Sequence, residues 1–127
     1  MKKKKFSIEY PLNNASTAIL WKSISSDYGL LEWFADDVNT NGNTFTFKWD
    51  DHEQDAELLQ SKQNECIRFQ WAEDKGSDAY FEMRIATSDL SKDLVLVITD
   101  YAAESDIDDS ILLWNQQIET LKRVTGL

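Results

Sequence analysis

The 127-residue sequence contains only one cysteine, one histidine, one proline and four glycines. A single cysteine, Cys66, cannot form a disulfide within the chain, and a single histidine, His52, leaves few ways to build a zinc site. The glycines are isolated from one another, so no glycine-rich phosphate-binding loop is present. We therefore expect a buried, unreactive Cys66, a reducing cytoplasmic environment, no metal and no cofactor.

Basic residues are also scarce. The chain has 13 Lys and Arg against 23 Asp and Glu, which gives a net charge of −10. Four of the basic residues are Lys2 to Lys5, so residues 6–127 carry nine basic and 23 acidic residues, a net charge of −14. Because phosphate binding depends on Lys and Arg, this balance disfavours nucleic acid and anionic membranes as partners. We expect residues 1–5 to form a frayed basic tail.

Long hydrophobic runs are missing as well. The segment after the lysines is interrupted by Glu9 and Pro11, which argues against a signal peptide, and we expect no membrane span. Hydrophobic residues make up 42% of the chain and charged residues 28%, as in ordinary globular proteins. The length suits one domain, so we predict a single domain over residues 1–127.

The first quarter of the chain predicts one strand and two short helices. Apolar and polar residues alternate over residues 4–10, which predicts a strand that Pro11 ends. A helical spacing of apolar residues follows the pair Asn13 and Asn14, which can cap a helix, and Gly29 interrupts that spacing. The helices are predicted at residues 15–26 and 30–34.

The middle of the chain, from about residue 36 to residue 101, predicts antiparallel strands. Residues 39–43 are rich in Asn and contain Gly42, a composition typical of a turn. Directly after it, Phe45, Phe47 and Trp49 alternate with polar residues. Two segments around a polar turn predict a hairpin, and two more strands follow, the last with both faces buried. These four strands are predicted at residues 54–61, 66–72, 79–87 and 94–98.

The end of the chain predicts its longest helix. Its apolar residues recur at spacings of three and four, which places them on one face. Acidic residues at its start and Lys122 and Arg123 near its end suit the helix dipole, and Gly126 is a plausible stop. The apolar face consists of Ile107, Ile111, Trp114, Ile118 and Leu121.

An acidic run around His52 is the main candidate for a metal site. Carboxylates and imidazole are common metal ligands, but in a strand only alternate residues of Asp50 to Asp55 can share a face. The run also lacks the glycine and the distal glutamate of a calcium-binding loop. We interpret it as a solvated turn. Nothing in the spacing of Cys66 and His52 supports a nucleophilic dyad.

Aromatic residues are the informative feature: the chain has six Phe, five Trp and four Tyr. Many of them lie on successive predicted strands or on the terminal helix. Large rings between a sheet and one long helix either fill the core or line an apolar cavity, and the pattern alone leaves both readings open. The candidate wall residues are Trp33, Phe34, Phe47, Trp49, Phe69, Trp71, Phe81, Met83, Trp114 and Ile118.

The order of these elements resembles the helix-grip fold of the START and birch-pollen-allergen superfamily. Leu20-Trp21 and the segment Tyr28 to Phe34 are similar to the helical region of its branch of activators of the ninety-kilodalton heat-shock chaperone ATPase. The segment Ile111 to Trp114, with Ile118 and Leu121-Lys122, is similar to the terminal helix of that branch. The resemblance implies an α+β fold: a curved antiparallel sheet of six to seven strands wrapped around a long C-terminal helix.

The resemblance also implies a function, because members of the superfamily bind apolar ligands between sheet and helix. We expect this chain to bind a small lipid-like or aromatic molecule without catalysis. Arg68 and Arg84 should face outward, unless the concave side of the sheet is theirs and they pair with a ligand carboxylate.

Two alternatives remain open. The acidic surface can serve a protein-interaction module for a chaperone or another basic partner. The superfamily also contains cyclases and hydrolases, for which His52, Tyr80 and Tyr101 are the available acid–base groups.

Overall fold

The computed structural model describes residues 2–13 and 15–126. Seven antiparallel strands form one curved sheet in the order β1-β7-β6-β5-β4-β3-β2. The strands are β1 (Lys4–Leu12), β2 (Asp37–Asn41), β3 (Thr44–Trp49), β4 (His52–Lys62), β5 (Cys66–Trp71), β6 (Phe81–Thr87) and β7 (Leu94–Ala102). The helices are α1 (Thr17–Ser25), α2 (Asp27–Leu31) and the long C-terminal α3 (Ile107–Thr125). The predicted fold class is confirmed.

Strand alternation gives the sheet two different faces. In β3, the buried residues Phe45 and Phe47 alternate with Thr44, Thr46 and the exposed Lys48. Since cross-strand partners share a face, the apolar sets of neighbouring strands join into one inner face that packs against the helices. The opposite, outer face carries Arg68 and Arg84, as predicted, together with most of the polar residues of β4 to β6.

Helix α3 covers the inner face with the predicted apolar residues. Trp114, Ile118 and Leu121 are buried, while neighbours on the other side of the helix are exposed. The helix ends at Gly126, whose φ of 75° lies in the left-handed region that glycine adopts without strain. Within the described residues 2–13 and 15–126, no helix is both long enough and apolar enough to cross a membrane.

The helix boundaries predicted near the start differ from the structure. Ser16 caps α1 by accepting from the backbone N–H of Ile19, so Asn13 is not the cap, and Asn14 lies outside the described residues. Gly29 does not separate the two helices, because it lies inside α2. The residues that follow α2, including Trp33 and Phe34, form a turn rather than a helix.

Several strand boundaries also need correction. Lys4 and Lys5 belong to β1 rather than to a frayed tail, and Pro11 is accommodated in β1, which is an edge strand. Residues 39–41 belong to β2, because pairing with β3 overrides the weak strand propensity of Asn. Likewise, His52 to Asp55 begin β4 instead of forming a solvated turn.

The strand predicted at residues 94–98 is longer and has unequal faces. It extends through β7 to Ala102. Leu96 and Ile98 on its inner face are fully buried, whereas Val95 and Val97 on its outer face remain partly exposed. The prediction that both faces are buried was wrong at Val95 and Val97, because only the inner face is covered by helices.

Gly29 allows α1 and α2 to approach closely. A Cβ atom at Gly29 would overlap the carbonyl oxygen of Lys22 and lie 2.7 Å from the Cα of Ser23. Both clashing groups are backbone atoms, so relief requires movement of a helix rather than of a flexible side chain.

We predict that Gly29→Ala lowers the free energy of unfolding by about 1–3 kcal/mol through this overpacking. Urea denaturation followed by circular dichroism measures the change. Tyr28→Ala is the control, since the Tyr28 side chain lies one position away and is 66% exposed. Equal stability of Gly29→Ala and Tyr28→Ala would show that the two helices separate at little cost.

Candidate functional site

A cleft of about 480 Å³ lies between the inner face of the sheet and the N-terminal half of α3. Residues from one end of the sheet form its floor: the last residues of β3, β5 and β7 and the first residues of β4 and β6. Ser110, Leu113, Trp114 and Gln117 of α3 form its roof. The cleft is open to solvent on one side.

Five of the ten candidate wall residues line this cleft. They are Phe34, Trp49, Trp71, Phe81 and Trp114. Their rings contact one another: the Trp71 and Phe81 centroids are 4.8 Å apart, and the Phe34 centroid is 5.8 Å from those of Trp49 and Trp114. The sheet and helix thus bring together rings from five separate segments of the chain.

The other five candidates do not line the cleft and belong to the packed core. Phe47, Phe69 and Met83 are completely buried. Each lies two positions along its strand from a residue that lines the cleft: Trp49, Trp71 and Phe81, respectively. Ile118 lies one helical turn beyond Trp114 and is equally buried. Trp33 packs on the edge of Phe34, and its indole N–H donates to the carbonyl of Ser23.

The backbone carbonyl of Phe34 fixes the inner end of the cleft. It accepts hydrogen bonds from Trp49 Nε1 at 2.8 Å and from Gln117 Nε2 at 3.0 Å. One oxygen therefore joins the turn after α2, the end of β3 and the middle of α3. Both donors also line the cleft, so the same bonds orient two of its wall residues.

Asp100 is the acidic group on the floor of the cleft. It lies on the inner face of β7, and its Oδ2 accepts from Trp114 Nε1 at 2.8 Å. Its Oδ1 accepts from the backbone N–H of Tyr101 at 2.7 Å. Burial raises the pKa of the Asp100 carboxyl above its ordinary value, although these two hydrogen bonds act in the opposite direction. The carboxyl is thus held by two donors at a site that disfavours its charge.

Other polar groups surround the mouth of the cleft. Lys3 lines it, and its Nζ lies 2.9 Å from Asp74 Oδ1 and 3.9 Å from Glu73 Oε1. Lys3 is therefore paired and partly buried rather than part of a free tail. His52 also lines the cleft and stacks on Trp49 with 6.3 Å between ring centroids.

Of the three acid–base candidates for an enzyme, His52 and Tyr101 line the cleft, whereas Tyr80 is not among its lining residues. Tyr80 and Tyr101 contact each other with 5.1 Å between ring centroids, and the Arg68 guanidinium lies 4.0 Å from the Tyr80 centroid. Arg68 also pairs with Glu82 at 2.8 Å on the outer face. His52 has its aromatic contact on the inner face, at Trp49.

Sequence reasoning missed most of the polar residues of the cleft. A signal was available for Asp100, because it continues the inward alternation of Leu96 and Ile98 with an acid. No comparable local signal marks Gln54 or Gln117, which are ordinary surface residues by type.

A curved antiparallel sheet, two short helices and a long C-terminal helix over an open aromatic cleft define a helix-grip domain. The family model described as the START-like superfamily domain matches residues 1–127. The chain therefore belongs to the START-like superfamily. A comparison with curated proteins gives no match.

Solved structures share the fold of this chain. The solution structure of BfR322 from Bacteroides fragilis is 38% identical, with a TM-score of 0.68, and the match covers 100% of this chain and 94% of that one. The Aha1 dimer from Colwellia psychrerythraea is 17% identical (TM-score 0.72, coverage 96% and 94%). MLL2253 from Mesorhizobium loti is 13% identical (TM-score 0.77, coverage 97% of both chains). The last two show similarity of fold alone.

We predict that Asp100→Asn changes the pH dependence of stability. The folded-state pKa of Asp100 is raised, so the native state retains its proton to higher pH than the unfolded state does. The wild type therefore loses stability relative to Asp100→Asn as pH rises from about 4, near the unfolded carboxyl pKa, through the folded pKa.

Urea denaturation at several pH values between 4 and 8 tests this (about one-unit steps suffice, because a carboxyl titrates over about two units). Asp89→Asn, which removes an exposed carboxyl from the turn between β6 and β7, is the control. Wild-type and Asp100→Asn stabilities that stay parallel over this range would contradict the assigned burial effect.

Proposed function

We propose that this protein binds a small, largely apolar, aromatic or lipid-like molecule in the cleft between the sheet and α3. The observation that carries the proposal is the cleft itself, with a volume of about 480 Å³ and a wall of five aromatic rings. Ligand sites in proteins commonly have volumes of about 300–1,000 Å³ and combine apolar walls with a few polar groups. Membership of the START-like superfamily is consistent with such a role.

The two parts of the cleft have different tasks in this proposal. The partly exposed rings of Trp49 and Trp71 supply most of the apolar contact, at roughly 25 cal/mol per Å² of apolar ligand surface removed from water, and the nearly buried Phe81 and Trp114 rings support them from the core. The polar groups on the floor and at the mouth orient the ligand. Because the rings pack on one another and on the core, most of the wall is formed before a ligand arrives.

We predict that filling the cleft weakens ligand binding. Ser110→Phe places a ring on the roof without removing any core residue, and we expect it to weaken the affinity for a bound ligand at least about tenfold. Titration of 15N-labelled protein with fatty acids, sterols and polycyclic aromatics measures binding, because each Trp indole N–H gives its own resonance.

The matched control is Gln116→Phe, which adds the same ring to an exposed position of α3. We expect its affinities to equal those of the wild type. Failure of the whole panel to shift the Trp49, Trp71 and Trp114 indole signals would overturn the proposed function. Equal binding by Ser110→Phe would place the ligand elsewhere.

A second candidate function is interaction with a basic protein such as a chaperone. Glu53, Asp55 and Glu57 alternate along β4, so they form one exposed acidic row on the outer face. Their strand partners in β3 are Lys48, Thr46 and Thr44. An exposed row of one charge sign steers a basic partner and makes the association sensitive to salt.

We predict that neutralising this row with Glu53→Gln, Asp55→Asn and Glu57→Gln weakens binding to a purified ninety-kilodalton heat-shock chaperone about tenfold at low salt. Surface plasmon resonance measures the affinity. The control removes the same charge from exposed acids elsewhere, with Glu65→Gln, Asp89→Asn and Glu119→Gln. Absence of binding, or equal weakening by both triple variants, would contradict a role for this acidic row in partner binding.

A further inference from the structure

The charged groups that line the cleft are not balanced. Glu73 and Asp100 are acidic, and Lys3 is the one Lys or Arg among the described lining residues. Lys3 is already engaged, because its Nζ lies 2.9 Å from Asp74 Oδ1, a carboxylate just outside the lining. Among the described lining residues, a ligand therefore meets two acidic side chains, a Lys3 ammonium already held by Asp74, and the His52 imidazole, which stacks on Trp49.

Asp100 is placed to contact such a ligand. It lies on the cleft floor, and each of its carboxyl oxygens accepts one hydrogen bond, from Trp114 or from the Tyr101 backbone. A carboxylate oxygen can accept two hydrogen bonds, so each oxygen keeps capacity for a ligand donor. The Trp114 bond also fixes the direction of the carboxyl, because the indole is itself buried.

The aromatic wall favours the same kind of ligand. Trp is the ring whose face attracts cations most strongly, and Trp49, Trp71 and Trp114 all line the cleft. A protonated amine next to Asp100 would have the carboxylate as its counter-ion and the Trp114 indole beside it, with Trp49 and Trp71 elsewhere in the same lining. It would also offset the cost of burying the Asp100 charge, which is visible in the raised pKa.

We propose that the cleft selects molecules that carry a protonated amine on a flat apolar body, with Asp100 as the counter-ion. This inference rests on the proposed function, because it names the ligand class of the same cleft. A ligand carboxylate is disfavoured at this floor, since it would face Asp100 and Glu73 while the ammonium of Lys3 is held by Asp74. A neutral ligand of the same shape gains the apolar contacts only.

Three probes of matched shape test the inference: 1-naphthylmethylamine, 1-naphthalenemethanol and 1-naphthoic acid. Each is titrated into the 15N-labelled wild-type protein at pH 7, and the Trp114 indole N–H is the reporter because it contacts Asp100. We expect the amine to bind at least about tenfold more tightly than the alcohol and the acid to bind most weakly.

Asp100→Asn separates the role of the charge from that of the cavity. It keeps one acceptor oxygen, for Trp114, but loses the negative charge and turns an amide NH2 toward the Tyr101 N–H, so the ratio of amine affinity to alcohol affinity is the readout, and it should fall to about one. Glu119→Gln, an exposed acid of α3 outside the cleft lining, should leave all three affinities unchanged. If Asp100→Asn does not fold, the order of the three probes on the wild type still decides the ligand class.

The outcomes separate this inference from the proposed function. If the alcohol or the acid binds as tightly as the amine, the protein still binds ligands but the amine preference is overturned. An amine preference that survives in Asp100→Asn overturns the role of Asp100. If neither these probes nor the wider panel of apolar ligands binds, both the ligand class and the proposed function are overturned.

Discussion

The arrangement of the sheet and α3 depends on the two hydrogen bonds that the backbone carbonyl of Phe34 accepts. A buried carbonyl is costly unless it is hydrogen-bonded, and this one has two donors, Trp49 from β3 and Gln117 from α3. The ring of the same residue packs on Phe47 and Phe81 of the sheet. The turn after α2 is thereby hydrogen-bonded to both the sheet and α3.

The cleft lies at one end of the inner face, where α3 contacts the sheet through the hydrogen bond from Trp114 to Asp100. Along β3, Phe45 and Phe47 are buried and Trp49 lines the cleft; along β5, Phe69 is buried and Trp71 lines it. Antiparallel pairing places the end of β3 beside the start of β4, and the end of β5 near the start of β6. One end of the inner face is therefore open while the rest is ordinary core.

These facts explain what the sequence could predict. Alternation in β3 and β5 and the apolar stripe of α3 are local patterns, and they predicted the strands and the buried face of α3, while the fold was expected from the family resemblance. The distance of a residue from the open end of the sheet is not local, so the pattern could not separate Trp49 from Phe47 or Trp71 from Phe69. In β3 and β5, one end of the strand contributes to the core and the other end lines the cleft.

The same limit applies to the errors in boundaries and polar residues. Gly29 resembles a helix breaker in sequence, yet it lies inside α2 because only a residue without a side chain fits against α1. The Asn-rich end of β2 becomes a strand through its pairing with β3. Gln117 is oriented in the cleft by its hydrogen bond to the carbonyl of Phe34, which lies 83 positions earlier in the chain.

The pairing of β1 with β7 has a consequence for how the protein is made. β1 is an edge strand, and β7 is its neighbour in the sheet, although the two are separated by most of the chain. Asp100 and Trp114 are also supplied by the last part of the chain. On a ribosome, where synthesis runs from the N-terminus, the exposed apolar side of β1 must wait for β7 and α3 to emerge. The pairing of β1 with β7 and then the completion of the cleft by α3 are late events, and a chain stopped before α3 would expose the aromatic residues of the cleft to water.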